Sequence, residues 1–215
     1  PDSGNICGAS IAAVLTERTR AVIPVHLAGW PCEMPTIMEL AFNHKFFVIE
    51  DCAQAHGARI NGRSVGSFGH VGAWSFCQDK IMSTGGEGGM VTTSDEALWS
   101  KMWSFKDHGK SWDAVYERKH KPGFRWLHDS FGTNWRMLEV QAAIGIVQLE
   151  KLEQWVTRRQ TIASRIRAML SSFSSSVRCS EPADDVCHSH YRQYAYVRQQ
   201  GLRDDWNRDR IVAEA

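Results

Sequence analysis

FVIEDCAQAHG at residues 47–57 and GAWSFCQDKIMSTGGEGG at residues 72–89 each begin with a short apolar run of strand-forming residues. In the first, the run ends at Glu50–Asp51. In the second, it ends near Phe76 and is followed within a few residues by Lys80 and the glycine-dense loop Gly85–Gly89. Working outward, the strand AVIPV (21–25) precedes a helix over Pro35–His44, whose Ile37, Met38, Leu40 and Ala41 share one face. The spacing predicts strands at Phe46–Ile49, Val71–Phe76 and Met90–Thr93, then a helix capped by Ser94 or Asp95 and running to Lys106. Strands and helices alternating at this length imply βαβ units and a mostly parallel sheet. The fold class is α/β, a three-layer α/β/α domain. Ligands of such sheets bind beyond the carboxyl ends of the strands, where Asp51 and Lys80 both fall.

The remaining segments extend this plan. Ser10–Leu15 reads as a short helix, and residues 110–131 as polar, aromatic and irregular. Met137 to about Leu170 reads as a long helix, with room for a break. The serine run Ser171–Ser176 is a linker candidate, with a strand at Tyr191–Val197 and a helix at Asp205–Ala215 beyond it. The expected division is a large domain over residues 1–171 and the start of a small α+β domain over 172–215, both partial. The opening without methionine and the close on RDRIVAEA, inside a helical pattern, both read as cuts through a longer protein.

Composition narrows the function classes. The 215 residues carry a net charge of +1 with 43% hydrophobic and 23% charged residues, ordinary for a globular protein. No basic block points to nucleic acid, and the lysines near the tryptophan-rich stretch 99–135 are diluted by Asp107, Asp113, Glu117 and Asp129. No apolar run approaches the roughly 20 residues that span a bilayer. The six cysteines are scattered without a C-x-x-C pair, which fits a reduced, cytoplasmic protein. Cys179, Cys187, His188 and His190 are metal-ligand types at poor spacing for a tetrahedral site, and no metal is expected.

A lysine and a carboxylate at one sheet edge suit pyridoxal 5′-phosphate (PLP). Its aldehyde needs an amine, and its pyridine nitrogen needs an acid that keeps it protonated. Lys80 and Asp51 are the candidates. The plain alternatives are a solvated surface lysine, and a helix cap or ion-pair partner. Gln54 can bond the ring phenolate oxygen, and Ser75, Ser83 and Thr84 offer hydroxyls to a phosphate. His56 is a candidate support for the Asp51 carboxylate, and His26 an active-site neighbour; for each, a structural histidine is the alternative.

The blocks VIPVHLAGWPCEM (22–34), VIEDCAQAHGA (48–58), GAWSFCQDKIMSTGGEGGMVTTSD (72–95) and GTNWRMLEVQAAIGIVQLEKL (132–152) follow one another in the order seen in the DegT/StrS family. The chain resembles these PLP-dependent nucleotide-sugar aminotransferases over nearly its whole length. The resemblance implies Lys80 as the Schiff-base lysine, Asp51 as the pyridinium partner, Gln54 at the ring oxygen and Ser75 at the phosphate. It implies that Asn134 reaches the phosphate in a neighbouring subunit of a homodimer with shared active sites, with Arg136 close by. His188 would face the substrate. The implied reaction moves an amino group from an amino acid, glutamate in most of the family, to a keto-sugar nucleotide. A sugar dehydratase of the same family and an inactive PLP-binding fragment are the alternatives. Family members run to nearly twice this length.

Overall fold

The computed structural model describes residues 3–214; of the expected carboxy-terminal helix, Ala215 lies outside the described residues. The central sheet has four strands: β1 (Ala21–Val22), β2 (Phe47–Asp51), β5 (Val71–Ser75) and β6 (Gly89–Thr92), in that spatial order. β1, β2 and β5 are parallel, and β6 returns antiparallel to β5. The mostly parallel sheet is therefore present.

β1 is shorter than its sequence suggests because Pro24 has no N–H to give to the ladder. Pairing resumes one residue later, where Val25 bridges Asp51. The result fixes Asp51 by its backbone. Its N–H donates to Pro24 O at 2.9 Å, and its carbonyl accepts from His26 N at 3.1 Å.

Helices α1 (Gly8–Ala12) and α2 (Met34–His44) cover one face of this sheet. Ile11, Met34, Ile37 and Ala41 pack with Phe46 and Val48 in the main core. Helix α3 (Glu96–Lys106) starts where expected: the Asp95 carboxylate accepts from Leu98 N at 2.9 Å, which satisfies an otherwise orphaned helical donor. The tryptophan-rich stretch divides. Trp112 packs against Trp99 at a tilt and edge-on against Trp103, whereas Trp126 and Trp135 are 77% and 70% exposed.

Helix α4 (Glu139–Ser171) runs 33 residues without a break. Gly145 lies on its buried face, where an added Cβ would sit 3.1 Å from Thr84 Cγ2. Past α4, the chain returns to the large sheet's neighbourhood instead of leaving it. β8 (Val186–Cys187) adds to the hairpin of β3 (Arg59–Ile60) and β4 (Arg63–Ser64). The strand expected from Tyr191 is confined to β9 (Tyr196–Val197), paired with β7 (Val177–Arg178). Helix α5 (Arg208–Glu214) follows.

Candidate active site

Parallel pairing of β2 with β5, with Asp51 opposite Ala73, brings the two strand ends to one edge of the sheet. Asp51 is half-buried there, and one carboxylate oxygen accepts from Ala53 N at 3.0 Å. Ser75 closes β5, and its Oγ accepts from Cys77 N at 3.3 Å, leaving the hydroxyl proton to donate elsewhere. The chain then turns, Lys80 N donating to Cys77 O at 3.0 Å. This turn carries the Lys80 side chain, which is only 16% exposed.

Gln54 has a defined orientation. Ala28 N donates to its Oε1 at 2.7 Å, so the amide nitrogen is the group left to donate outward. Ala28 is held in the left-handed region at φ 59, and Gly29 follows at φ 91. An added Cβ on Gly29 would meet Ser189 Oγ at 2.4 Å and Gln54 O at 3.1 Å.

The glycine-dense loop is tied to α4. Ser83 N donates to Gln148 Oε1 at 2.8 Å, and Gln141 Nε2 donates to Glu87 O at 2.6 Å. Thr84 is buried at 1% exposure, so its hydroxyl does not face outward as expected of a phosphate ligand.

His56 is buried against Trp74 and Phe76, and neither ring nitrogen has a hydrogen-bond partner among the described residues. It makes no bond to Asp51. Burial pushes its imidazole down to about 4, helped by the Lys80 cation and opposed by the Ser75 backbone. It is neutral at physiological pH.

Two further histidines differ from expectation. His26 is fully buried; its Nδ1 accepts from Cys32 N at 3.0 Å, and its Nε2 faces Glu50 Oε2 at 3.1 Å. The first bond requires a lone pair on Nδ1, so the proton sits on Nε2 and is donated to Glu50. Both nitrogens are committed, and His26 has no face for a substrate. His188 is stacked on His190, with centroids 3.8 Å apart, and its Nδ1 accepts from His190 N at 2.8 Å. Burial, with His190 adding, pushes it down to about 3. It packs inside the fold, 5% exposed, against Trp30 and His190.

Glu50, which the sequence did not mark, is the centre of this buried network. Its Oε1 accepts from Phe68 N at 2.7 Å and Gly69 N at 2.6 Å, and its Oε2 from Gly66 N at 2.8 Å and from His26. Burial alone would raise its pKa. The His26 bond and the backbone donors of Gly69 and Gly66 outweigh that and hold the carboxyl below its ordinary range. His26, Glu50 and Cys52 place ligand-type atoms within 4.8 Å of one another. With both imidazole nitrogens engaged and the Cys52 thiol pushed well up by burial, this is a structural cluster, not a metal centre.

Asn134 is exposed, and its backbone bridges Asp107. Arg136 reaches Asp107 at 3.6 Å with 57% of its side chain exposed. Among the described residues, no hydrogen bond or ion pair joins either to Asp51, Gln54, Ser75 or Lys80.

A profile of the DegT/DnrJ/EryC1/StrS aminotransferase family matches residues 1–214. The chain belongs to this family. Aminotransferases of the DegT family that act on sugars are PLP-dependent. An aminotransferase from Psychrobacter cryohalolentis is 55% identical and superposes with a TM-score of 0.95, covering 99% of this chain and 56% of that one. GDP-perosamine synthase of Escherichia coli O157:H7 is 38% identical over 177 residues, 82% of this chain and 45% of its own. UDP-N-acetyl-3-dehydro-alpha-D-glucosamine 3-aminotransferase of Acidithiobacillus ferrooxidans is 48% identical over 136 residues, 63% of this chain and 34% of its own. The chain thus spans less than half the length of these two curated DegT-family relatives.

The residues at this edge fit PLP. Asp51 has a carboxylate with one oxygen bound only to Ala53 N, Gln54 presents an amide donor, and Ser75 a hydroxyl proton. Lys80 supplies a sheltered amine. One residue at this edge was missed. Tyr191 places its ring 5.1 Å from Lys80 Nζ. It lies three residues beyond His188.

Proposed function

We propose that the protein is a PLP-dependent aminotransferase that moves an amino group from an amino acid, with glutamate the expected donor, to a keto-sugar nucleotide. The reading rests above all on Asp51 and Lys80 at neighbouring parallel strand ends, in a chain of the DegT/DnrJ/EryC1/StrS family. Relatives named for making GDP-perosamine and for aminating a UDP-linked 3-dehydro-glucosamine support the substrate class.

PLP, when bound, supplies an electron sink for the carbanion formed at a substrate carbon. The protein's own residues do the rest. The Asp51 carboxylate holds a proton on the ring nitrogen through a charge-assisted bond. Gln54 Nε2 would donate to the ring oxygen, and the Ser75 hydroxyl would donate to the phosphate. Lys80 Nζ would be the amine that holds the cofactor and, when free of it, the base that would move a proton at the donor's α-carbon. Neutral His56 beneath the edge adds no second positive charge beside Lys80.

Two readouts test this. Borohydride reduction in the presence of PLP attaches the cofactor to Lys80, and Lys80→Ala eliminates that attachment while leaving the fold intact. Incubation with a keto-sugar nucleotide and glutamate yields amino-sugar and 2-oxoglutarate; a deoxygenated sugar instead identifies a dehydratase. A Lys80→Ala variant that transaminates at the native rate refutes the assignment. Failure of the unaltered chain to capture PLP supports the inactive-fragment alternative for these 215 residues.

The same proposal includes a cytoplasmic homodimer. Asn134 would meet the partner's cofactor phosphate, flanked by exposed Phe131, Trp135 and Leu138, apolar surface of the kind that interfaces cover. A monomeric mass by sedimentation would contradict the shared site. Among the described residues no helix is long and apolar enough to cross a membrane. The division into units 1–171 and 172–215 is part of the proposal, and limited proteolysis within Ser171–Ser176 tests it.

A further inference from the structure

Lys80 has a prepared resting place. Its Nζ lies 3.6 Å from Asp79 Oδ1 and 5.1 Å from the centroid of Tyr191. The Tyr191 hydroxyl donates to the other oxygen of the same carboxylate, Asp79 Oδ2. That bond is the first cause, with the Lys80 charge adding to it, of a carboxyl held below its usual range, so Asp79 stays ionised. Arg192 stands against the same ring, its Cζ 5.4 Å from the centroid. An aromatic face and a carboxylate together form a cradle for an ammonium group.

The cradle is not a chance surface contact, because the Tyr191 backbone is clamped from several sides. Ser189 N donates to Gly29 O at 3.0 Å, and Arg192 N donates to Ala28 O at 3.2 Å. Arg159 Nη1 donates to His190 O at 3.2 Å. Ala28 is the residue whose N–H orients Gln54. The segment carrying Tyr191 is thus docked on the peptide that aims the proposed ring-facing amide. Tyr191 and Gln54 take their positions from one turn, although 137 positions (191 minus 54) separate them in the chain.

We propose that Tyr191, with Asp79, is a positioning residue that holds the Lys80 amine beside the cofactor edge whenever that amine is not covalently engaged. This rests on the reading of Lys80 given above. Its consequence is that a displaced Lys80 stays within reach of the reacting carbon instead of swinging into solvent. The cradle lowers the reactivity of the amine toward outside reagents and raises its rate of return to the cofactor.

The test has one arm without cofactor and one with it. In the first, the chain without PLP is treated with limiting acetic anhydride, and acetylation of Lys80 is followed by peptide mass spectrometry against Lys45 and Lys119 as internal standards. Tyr191→Leu should speed Lys80 acetylation about tenfold, the scale of a half-sheltered cation–π contact plus its neighbouring carboxylate bond. Tyr191→Phe, which keeps the ring and loses the hydroxyl, should give about a third of that effect by the same reasoning. In the second arm, borohydride-trapped attachment of PLP to Lys80 should slow about tenfold in Tyr191→Leu and be largely rescued in Tyr191→Phe. A Lys80 acetylation rate in Tyr191→Leu within about twofold of the parent overturns the proposal. If Tyr191→Leu proves unfolded by circular dichroism, Tyr191→Phe and Asp79→Asn decide, and no change in either overturns it. Failure of the parent chain to attach PLP supports the inactive-fragment alternative for these 215 residues, while the cofactor-free arm still decides the cradle.

Discussion

Removing the charge of Glu50 tests the buried network most directly. In Glu50→Gln the shape is kept, but one carboxylate oxygen becomes an NH2 group. If the amide oxygen stays on the Phe68 and Gly69 side, the NH2 faces two donors, Gly66 N–H and the His26 Nε2–H. If the amide flips, the NH2 faces Phe68 N–H and Gly69 N–H instead. His26 cannot relieve the clash by changing tautomer, because its Nδ1 must accept from Cys32 N. Either way two charge-assisted bonds are lost, at about 1.5–3 kcal/mol each, so a loss of about 3–6 kcal/mol is expected. That is a large share of the roughly 5–15 kcal/mol that holds a typical domain folded. Urea unfolding followed by tryptophan fluorescence measures it. The double variant His26→Phe, Glu50→Leu should not restore stability, because four backbone donors, the N–H groups of Cys32, Gly66, Phe68 and Gly69, are left unpaired. A loss below about 1 kcal/mol for Glu50→Gln, well under the value of a single charge-assisted bond, would refute this account.

Acidification should destabilise the fold before carboxylates titrate. His56, His188 and His190 are pushed down to about 4, about 3 and about 4, first of all by burial, so the unfolded chain takes up their protons first. Their contribution is complete above the ordinary imidazole value near 6.5 and is lost as pH falls toward 4. From pH 7 to pH 5 the His56 share is about 2 kcal/mol, and His56→Phe should flatten the urea midpoint's pH dependence accordingly. Glu50, with its pKa lowered, adds a second loss in the same direction, starting as pH falls into the ordinary carboxylate range, where the unfolded chain takes up the proton first. Gly29→Ala forces a Cβ at positive φ to within 2.4 Å of Ser189 Oγ, and should cost about 1–3 kcal/mol by thermal melting. Asp95→Ala removes the cap on Leu98 N and should cost about 1 kcal/mol in the same assay.

Which features could be read in advance follows from where their causes lie. α2 and α3 depend on local spacing and on a cap, and both are written in consecutive residues. Asp51 and Lys80 were legible because strand ends are local features and parallel order places them together. β1 was overextended because the spacing of apolar residues in AVIPV outweighed the missing N–H of Pro24. β9 was overextended because Arg192 N–H is used on Ala28 O, a partner distant in sequence. The roles of His26 and His188 depended on burial, which a single histidine in a sequence does not reveal. Glu50 and Asp51 are adjacent carboxylates that alternate across the strand, one turned into the core and the other to the edge. Their division of labour appears only when β2 is placed between β1 and β5. Tyr191 needed the docking of residues 188–192 on the turn at 28–29.

Asp51 is tied into the sheet by its peptide groups, N–H to Pro24 and carbonyl to His26, with the next N–H, that of Cys52, on Ala73; its one side-chain bond, from Ala53 N, lies in the turn beyond the strand. None of the sheet bonds uses its side chain. The strand end therefore works as a socket into which different side chains can be set without disturbing the frame. Chemistry at this position can drift by single substitutions, as long as proline is avoided, while the architecture around it is inherited unchanged.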